Sequence, residues 1–177
     1  LVLRVDGVEV KNGFGGIARA IALVPQNPEL FATTILANIT LGADYSLEFV
    51  KQFTDMADFT EVAMSLPHQF DTSIKERGVN LSGGQQQRLA LSRGLLACHD
   101  KDIVLLDEPT SSLDAITERC VYQNIFNAFN NKLIISTIHK LHLLPLFDVI
   151  YLFEGGRIVA QGSLSELMMN SHEFQEL

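Results

Sequence analysis

Residues 102–109 read DIVLLDEP: four consecutive apolar residues, Ile103 to Leu106, lead into Asp107 and Glu108, and Pro109 ends the run. A short unbroken apolar run marks a strand buried on both faces, as in a parallel sheet, and proline cannot continue the ladder. Two carboxylates then stand where the strand leaves the core. One can hold Mg2+ through its water shell, and its neighbour can orient or deprotonate a water. Taken alone, the pair reads equally well as two solvated charges at a strand end. A second run of this kind, KLIIST (132–137), follows a helical pattern over 114–129. Upstream, AIALVPQ (20–26) is a short apolar strand ended by Pro25. Strands alternating with helices predict an α/β fold built on a parallel sheet, with ligands at the carboxyl ends of the strands.

Around this frame, LVLRVDGVEV (1–10) alternates about Asp6-Gly7 as a hairpin, and residues 34–40 read as one or two helical turns. A polar-rich helical pattern runs from Ser46 to about Leu66, where Pro67 breaks it. The stretch 82–98 is helical, DVIYLFEGGRIVAQG (148–162) is a hairpin on a Gly-Gly turn, and SLSELMMN (163–170) is a closing helix. Residues 41–99 thus form a mainly helical insertion in a core made of 1–40 and 100–177. GFGG (13–16) lacks a following Lys-Ser/Thr and reads as a flexible turn.

At 177 residues and 47% hydrophobic, the chain is sized for one domain with a sizeable core. A net charge of −8, with no dense Lys/Arg cluster, argues against a nucleic-acid partner. Charged residues make up 19%, below the roughly 25% usual in soluble domains, which hints at surface covered by partners. Cys98 and Cys120 fit no metal or redox spacing and are expected to be buried thiols of a reducing compartment. The longest apolar zone, LHLLPLFDVIYLF (141–153), is interrupted by His142, Pro145 and Asp148, too soon for a membrane span.

Ser82, Gly83, Gly84 and Gln85 open the helix at 82–98, so backbone N–H groups and a hydroxyl face outward with nothing bulky before them. Such a helix start suits an anion. The nucleotide loop G-x-x-x-x-G-K-[ST] occurs nowhere in the 177 residues. Ser111 and Asp114, in SSLD behind DEP, fit the spacing of helix caps. His139 stands just beyond LIIST, within reach of the Glu108 strand end, with His142 as a rival. Gln26 ends its strand with an amide that could bind Mg2+ or a water.

The order of LVPQNPELFATTILANI, ERGVNLSGGQQQR, DIVLLDEP, SSLD and STIHKL resembles the ATP-binding cassette (ABC) family over nearly the whole chain, most closely its exporter-type members. TSIKERG (72–78) departs from the exporter pattern, which has Glu and Gly where Ser73 and Lys75 stand. The resemblance implies a P-loop NTPase-like sheet with a helical subdomain, using ATP and Mg2+. It makes Gln26 the Q-loop glutamine, also a Mg2+ contact, and Ser82 to Gln85 the signature motif. By the same resemblance Asp107 is the Walker B aspartate, Glu108 the catalytic glutamate, Ser111 to Asp114 the D-loop and His139 the switch histidine. It implies a second nucleotide-binding domain and a transmembrane domain as partners, at the cytoplasmic face of a membrane. In this family the signature helix addresses a phosphate seated in the Walker A loop of the other cassette. A non-catalytic module that lends its signature helix, and a soluble ABC-type ATPase, are the alternatives.

The family places a strand, the Walker A loop and its helix ahead of a region like AIALVPQ. The expectation is therefore a partial domain, its N-terminal part missing, that exposes apolar surface and lacks the cationic cradle for a triphosphate. Isothermal titration of the isolated 177 residues should give a millimolar or weaker Kd for MgATP, roughly −4 kcal/mol; micromolar affinity would contradict this expectation.

Overall fold

The computed structural model describes residues 4–5, 7–9, 11, 13–26, 29–74 and 81–176, and it separates into two compact units, Leu1–Thr137 and Ile138–Leu177. Lys75 and the residues ERGVN (76–80) lie outside the described residues, as does Asp6 of the expected first turn.

The first unit opens with a short antiparallel ribbon, β1 (Arg4–Val5) with β2 (Val8–Glu9). GFGG, expected as a flexible turn, forms one turn of 3-10 helix at Gly13–Gly16. Next come β3 (Ile21–Val24), α1 (Ile35–Thr40), α2 (Leu47–Met56), α3 (Thr60–Ser65), α4 (Gly83–Ala97), β4 (Ile103–Asp107), α5 (Ala115–Ala128) and β5 (Leu133–Thr137). The expected parallel sheet is present, three-stranded in the order β3-β4-β5. Its register aligns Val24 with Leu106, Leu106 with Ser136, and Asp107 with Thr137.

Side chains alternate across the sheet, so its two faces differ. Val24, Val104 and Leu106 are buried on the face covered by helices. There Tyr122 of α5 shares a hydrogen bond of 2.8 Å with Ser136, and burial pushes its phenol up to about 12. On the other face Leu23, Leu133 and Ile135 are more than half exposed, which is the apolar exposure expected from the sequence. Asp107 and Thr137 project from that open side.

The helical stretch read from Ser46 to about Leu66 is two helices, not one. Asp58 sits at φ +54 between α2 and α3, and this left-handed residue stops the first helix. Phe59 and Ala57 are fully buried on either side of it. Arg88 of α4 holds the break by donating to the Asp58 carbonyl at 2.6 Å and to its carboxylate at 2.7 Å. Neither partner is visible in a local pattern. The cysteines also divide: Cys98, at the end of α4, is buried and its thiol is pushed up to about 11 by burial, whereas Cys120, expected to be buried, lies on the outer face of α5 and is exposed. The buried face of α5 is taken by Glu118, Val121, Tyr122 and Ile125, leaving position 120 outward.

In the second unit, β6 (Ile150–Glu154) and β7 (Arg157–Gly162) form the expected hairpin, with Gly155 and Gly156 at φ +54 and +76, as a two-residue primed turn requires. α6 (Leu164–Asn170) and α7 (His172–Gln175) follow. Leu144, Leu167 and Phe174 centre its core, with Ile150, Leu152 and Ala160 packed on them. Among the described residues no helix is long and apolar enough to cross a membrane.

α4 lies against β3 at Gly94, where a Cβ would come within 2.8 Å of Val24 Cγ1 and 3.0 Å of its Cγ2. Alanine in an exposed helix interior gains about 1 kcal/mol over glycine. Here the stiff, buried Val24 cannot yield, and overpacking costs about 1–3 kcal/mol. Gly94→Ala should therefore lower the urea midpoint, and on a Val24→Ala background the same change should raise it. A higher midpoint for Gly94→Ala alone would refute the close contact.

Candidate functional site

Because β3, β4 and β5 are parallel and in register, their carboxyl ends meet along one edge. Gln26, two residues beyond β3, donates through Nε2 to Glu108 Oε2 at 2.7 Å. Thr137, the last residue of β5, donates through Oγ1 to Asp107 Oδ1 at 2.8 Å. The same Oγ1 accepts the Glu108 N–H at 3.2 Å. Gln26, Asp107 and Glu108, separate in sequence, thus form one junction with Thr137 at its centre.

Glu108 stands at φ +44, a region that costs a non-glycine residue about 1–2 kcal/mol. The strand ends one residue earlier, and this left-handed step turns the second carboxylate away from the path of the first. Strain of this kind gathers at functional sites. The side-chain oxygens of Gln26, Asp107 and Glu108 are hard donors. Mg2+ is usually held by one or two carboxylates together with phosphate and water, so this donor set fits a shared ion of that kind.

The second constellation is the start of α4. Ser82, exposed, caps the helix: its Oγ accepts the Gln85 N–H at 3.3 Å while Gln85 Oε1 accepts the Ser82 N–H at 2.9 Å. The expected capped helix start is thereby built. The reciprocal cap uses the N–H groups of Ser82 and Gln85 and leaves those of Gly83 and Gly84 directed out of the first turn. A serine hydroxyl that accepts one bond can still donate another. The helix dipole adds positive potential at this point.

Of the remaining candidates, Asp114 caps α5, its Oδ1 accepting the N–H groups of Ile116 and Thr117 at 3.1 and 3.0 Å. The Thr117 hydroxyl, at 2.7 Å from Oδ2, is the chief cause that holds this carboxyl below its usual range, followed by the Thr117 N–H. The cap is Asp114 without Ser111, which the cap spacing had coupled to it. Ser111 Oγ instead accepts a bond of 2.9 Å from Gln87 Nε2. His139 opens the second unit, two residues beyond β5 and exposed, and His142 lies exposed in the 3-10 segment Leu141–Leu146.

Two residues of this geometry were not singled out from the sequence. Thr137 could have been found by aligning the ends of LLDE and IIST in a parallel pair, which sets it opposite Asp107. Gln87 carries no such signal, because its partners lie across a loop that only the fold brings back.

The chain compares with known proteins as follows. A family model described as ABC transporter matches residues 3–111. The ABC-type transporter MDR1 of Aureobasidium melanogenum is 38% identical over 177 residues, covering 98% of this chain and 13% of that protein. The glutathione/L-cysteine transport system ATP-binding/permease protein CydD of Bacillus subtilis is 37% identical over 173 residues, covering 97% of this chain and 30% of that protein. Among solved structures, a bacterial Atm1-family ABC exporter with ATP bound superposes with a TM-score of 0.84 at 31% identity, over 98% of this chain and 30% of that one. The chain therefore spans less than a third of the length of these relatives.

Thr137→Val tests the junction without disturbing the strand, since valine has the same shape and favours β structure. The expected result is an intact fold in which the Glu108 amide exchanges its hydrogen about fivefold faster, in line with a lost bond of about 1 kcal/mol, with Thr137→Ser restoring protection. Unchanged exchange in Thr137→Val would exclude Thr137 as the residue that holds Glu108.

Proposed function

The chain belongs to the ABC transporter family, and from that premise we propose that it acts as the nucleotide-binding domain of an exporter-type transporter. In that role it pairs with a second nucleotide-binding domain and with a transmembrane domain at the cytoplasmic face of a membrane. The observation that carries this reading is the junction in which Gln26 bonds Glu108 at 2.7 Å while Asp107 is held beside them by Thr137.

ATP bound with Mg2+ supplies the phosphoryl group and the metal's charge neutralisation. Asp107, oriented by the Thr137 hydroxyl, is the carboxylate that would hold Mg2+. Glu108 is the base that takes a proton from the attacking water. Gln26, already bonded to Glu108, presents an amide oxygen to Mg2+ and conveys the state of the site to the membrane domain. His139 senses the γ-phosphate. Ser82, with the N–H groups of Gly83 and Gly84, grips a phosphate seated by the other cassette. Gln85 supports that grip through the reciprocal cap, and Asp114 fixes the end of the loop behind Glu108. The reading assigns the cup that seats the triphosphate to residues outside these 177, which contain no G-x-x-x-x-G-K-[ST].

The fully built helix start at Ser82 carries one second reading. In it the chain is a non-catalytic partner that lends α4 to a complete cassette and only docks. Co-expression with such a cassette separates the two. Ser82→Arg, which fills the phosphate position, should lower ATP hydrolysis by about a hundredfold or more on either reading. Glu108→Gln should do the same if this chain's own carboxylate works, and should have no effect if it only lends its helix. Hydrolysis indifferent to both substitutions would sink both readings.

A further inference from the structure

The start of α4 and the loop behind Glu108 belong to different stretches of sequence, yet one side chain joins them. Gln87, 9% exposed, donates through Nε2 to Ser111 Oγ at 2.9 Å and accepts through Oε1 the Ser112 N–H at 2.8 Å. One turn earlier the helix approaches the same loop: a Cβ on Gly84 would stand 3.3 Å from Leu113 Cδ2 and 3.6 Å from the Ser112 carbonyl oxygen. The loop in turn is tied to the strand end, because the Ser111 N–H donates to the Glu108 carbonyl at 3.3 Å.

We propose that Gln87 is a positioning residue that fixes the distance between the phosphate-facing start of α4 and the acidic end of β4. The inference rests on the reading that Ser82 and its neighbours face a phosphate. Gln87 sits one turn inside the helix from Gly83 and Gly84 and touches no atom of that phosphate site. It acts through the backbone of α4 on one side and through Ser111 and Ser112 on the other.

Helix stability does not require this arrangement. α4 is anchored by Leu89, Leu91, Leu95 and Leu96, all buried, and a leucine at position 87 would bury as well. What an amide adds is direction. It holds a hydroxyl and a backbone N–H at once, so the loop can neither slide along α4 nor rotate about it without losing a bond. Ser111 and Ser112 are themselves exposed, so their place depends on such ties. Displacement of a binding group by about 1 Å can cost about a hundredfold in rate, so a strap of this kind has a measurable consequence.

The test pairs this chain with a complete cassette and compares Gln87→Leu with Gln87→Glu, which keeps an oxygen for the Ser112 N–H and one for the Ser111 hydroxyl. The expected result for Gln87→Leu is a rise of about tenfold in hydrogen exchange at the Ser112 amide, with the amides from Leu89 to Leu96 unchanged. ATP hydrolysis by the pair should fall about tenfold in kcat while KM stays within about twofold, because Gln87 makes no contact with nucleotide. Gln87→Glu should restore most of both. If Gln87→Leu does not fold, Ser111→Ala, which removes the Gln87–Ser111 bond and leaves the Ser112 N–H bonded, is read by kcat alone, and an unchanged kcat overturns the proposal. Unchanged Ser112 exchange, or faster exchange with unchanged kcat, overturns the proposal. Ser82→Arg in the same pair distinguishes the causes: if it inhibits while Gln87→Leu is silent, only the role of Gln87 fails. If Ser82→Arg is silent too, the reading of the helix start fails and takes this proposal with it.

Discussion

Parallel pairing of β4 with β3 on one side and β5 on the other is the constraint on which the rest of the first unit depends. The register ends all three strands at one level, with Asp107 opposite Thr137. Side chains alternate with a period of two, so a slip of one residue would bury Asp107 against the helices and turn Leu106 outward. Burying that carboxylate unpaired would cost several kcal/mol, so the apolar pattern of IVLL and the polarity of Asp107 enforce the same register. The carboxylate is placed by its strand before any ligand arrives.

From that edge, order spreads through a few polar contacts between segments far apart in sequence. Thr137 holds both the Asp107 side chain and the Glu108 backbone, and Gln26 holds the Glu108 carboxylate. Gln87 then joins the loop behind Glu108 to α4, while Arg88, the next residue, fixes the left-handed break at Asp58 between α2 and α3. Consecutive residues of α4 therefore reach in two directions, one toward the strand end and the other toward the small helices. A helix makes this possible because adjacent side chains leave it about 100° apart.

The open face of the sheet sets a different condition. Leu23, Leu133 and Ile135 stand exposed on it, whereas parallel sheets are ordinarily covered on both sides. Asp107 and Thr137 project from this same face, so whatever covers it also bounds the site. The relatives compared above are each several times longer than this chain.

The sequence by itself determined the elements whose cause is local. The apolar runs of β3, β4 and β5, the Gly-Gly turn at 155–156, the cap at Ser82 and the two acids that end DIVLLDE are written in neighbouring residues, and spacing suffices to read them. The order of the motifs carried the family for the same reason. The tertiary structure alone decided that the Thr137 hydroxyl also takes the Glu108 N–H, that Gln87 takes Ser111 from its expected cap, that the helical pattern read from Ser46 to about Leu66 breaks at Asp58, and that Cys120 faces outward. Each of these depends on a partner at least a helix or a strand away in sequence. A hydrogen bond of under 3 Å is fixed by where two backbones come to rest, and a local pattern of residue types does not contain that information.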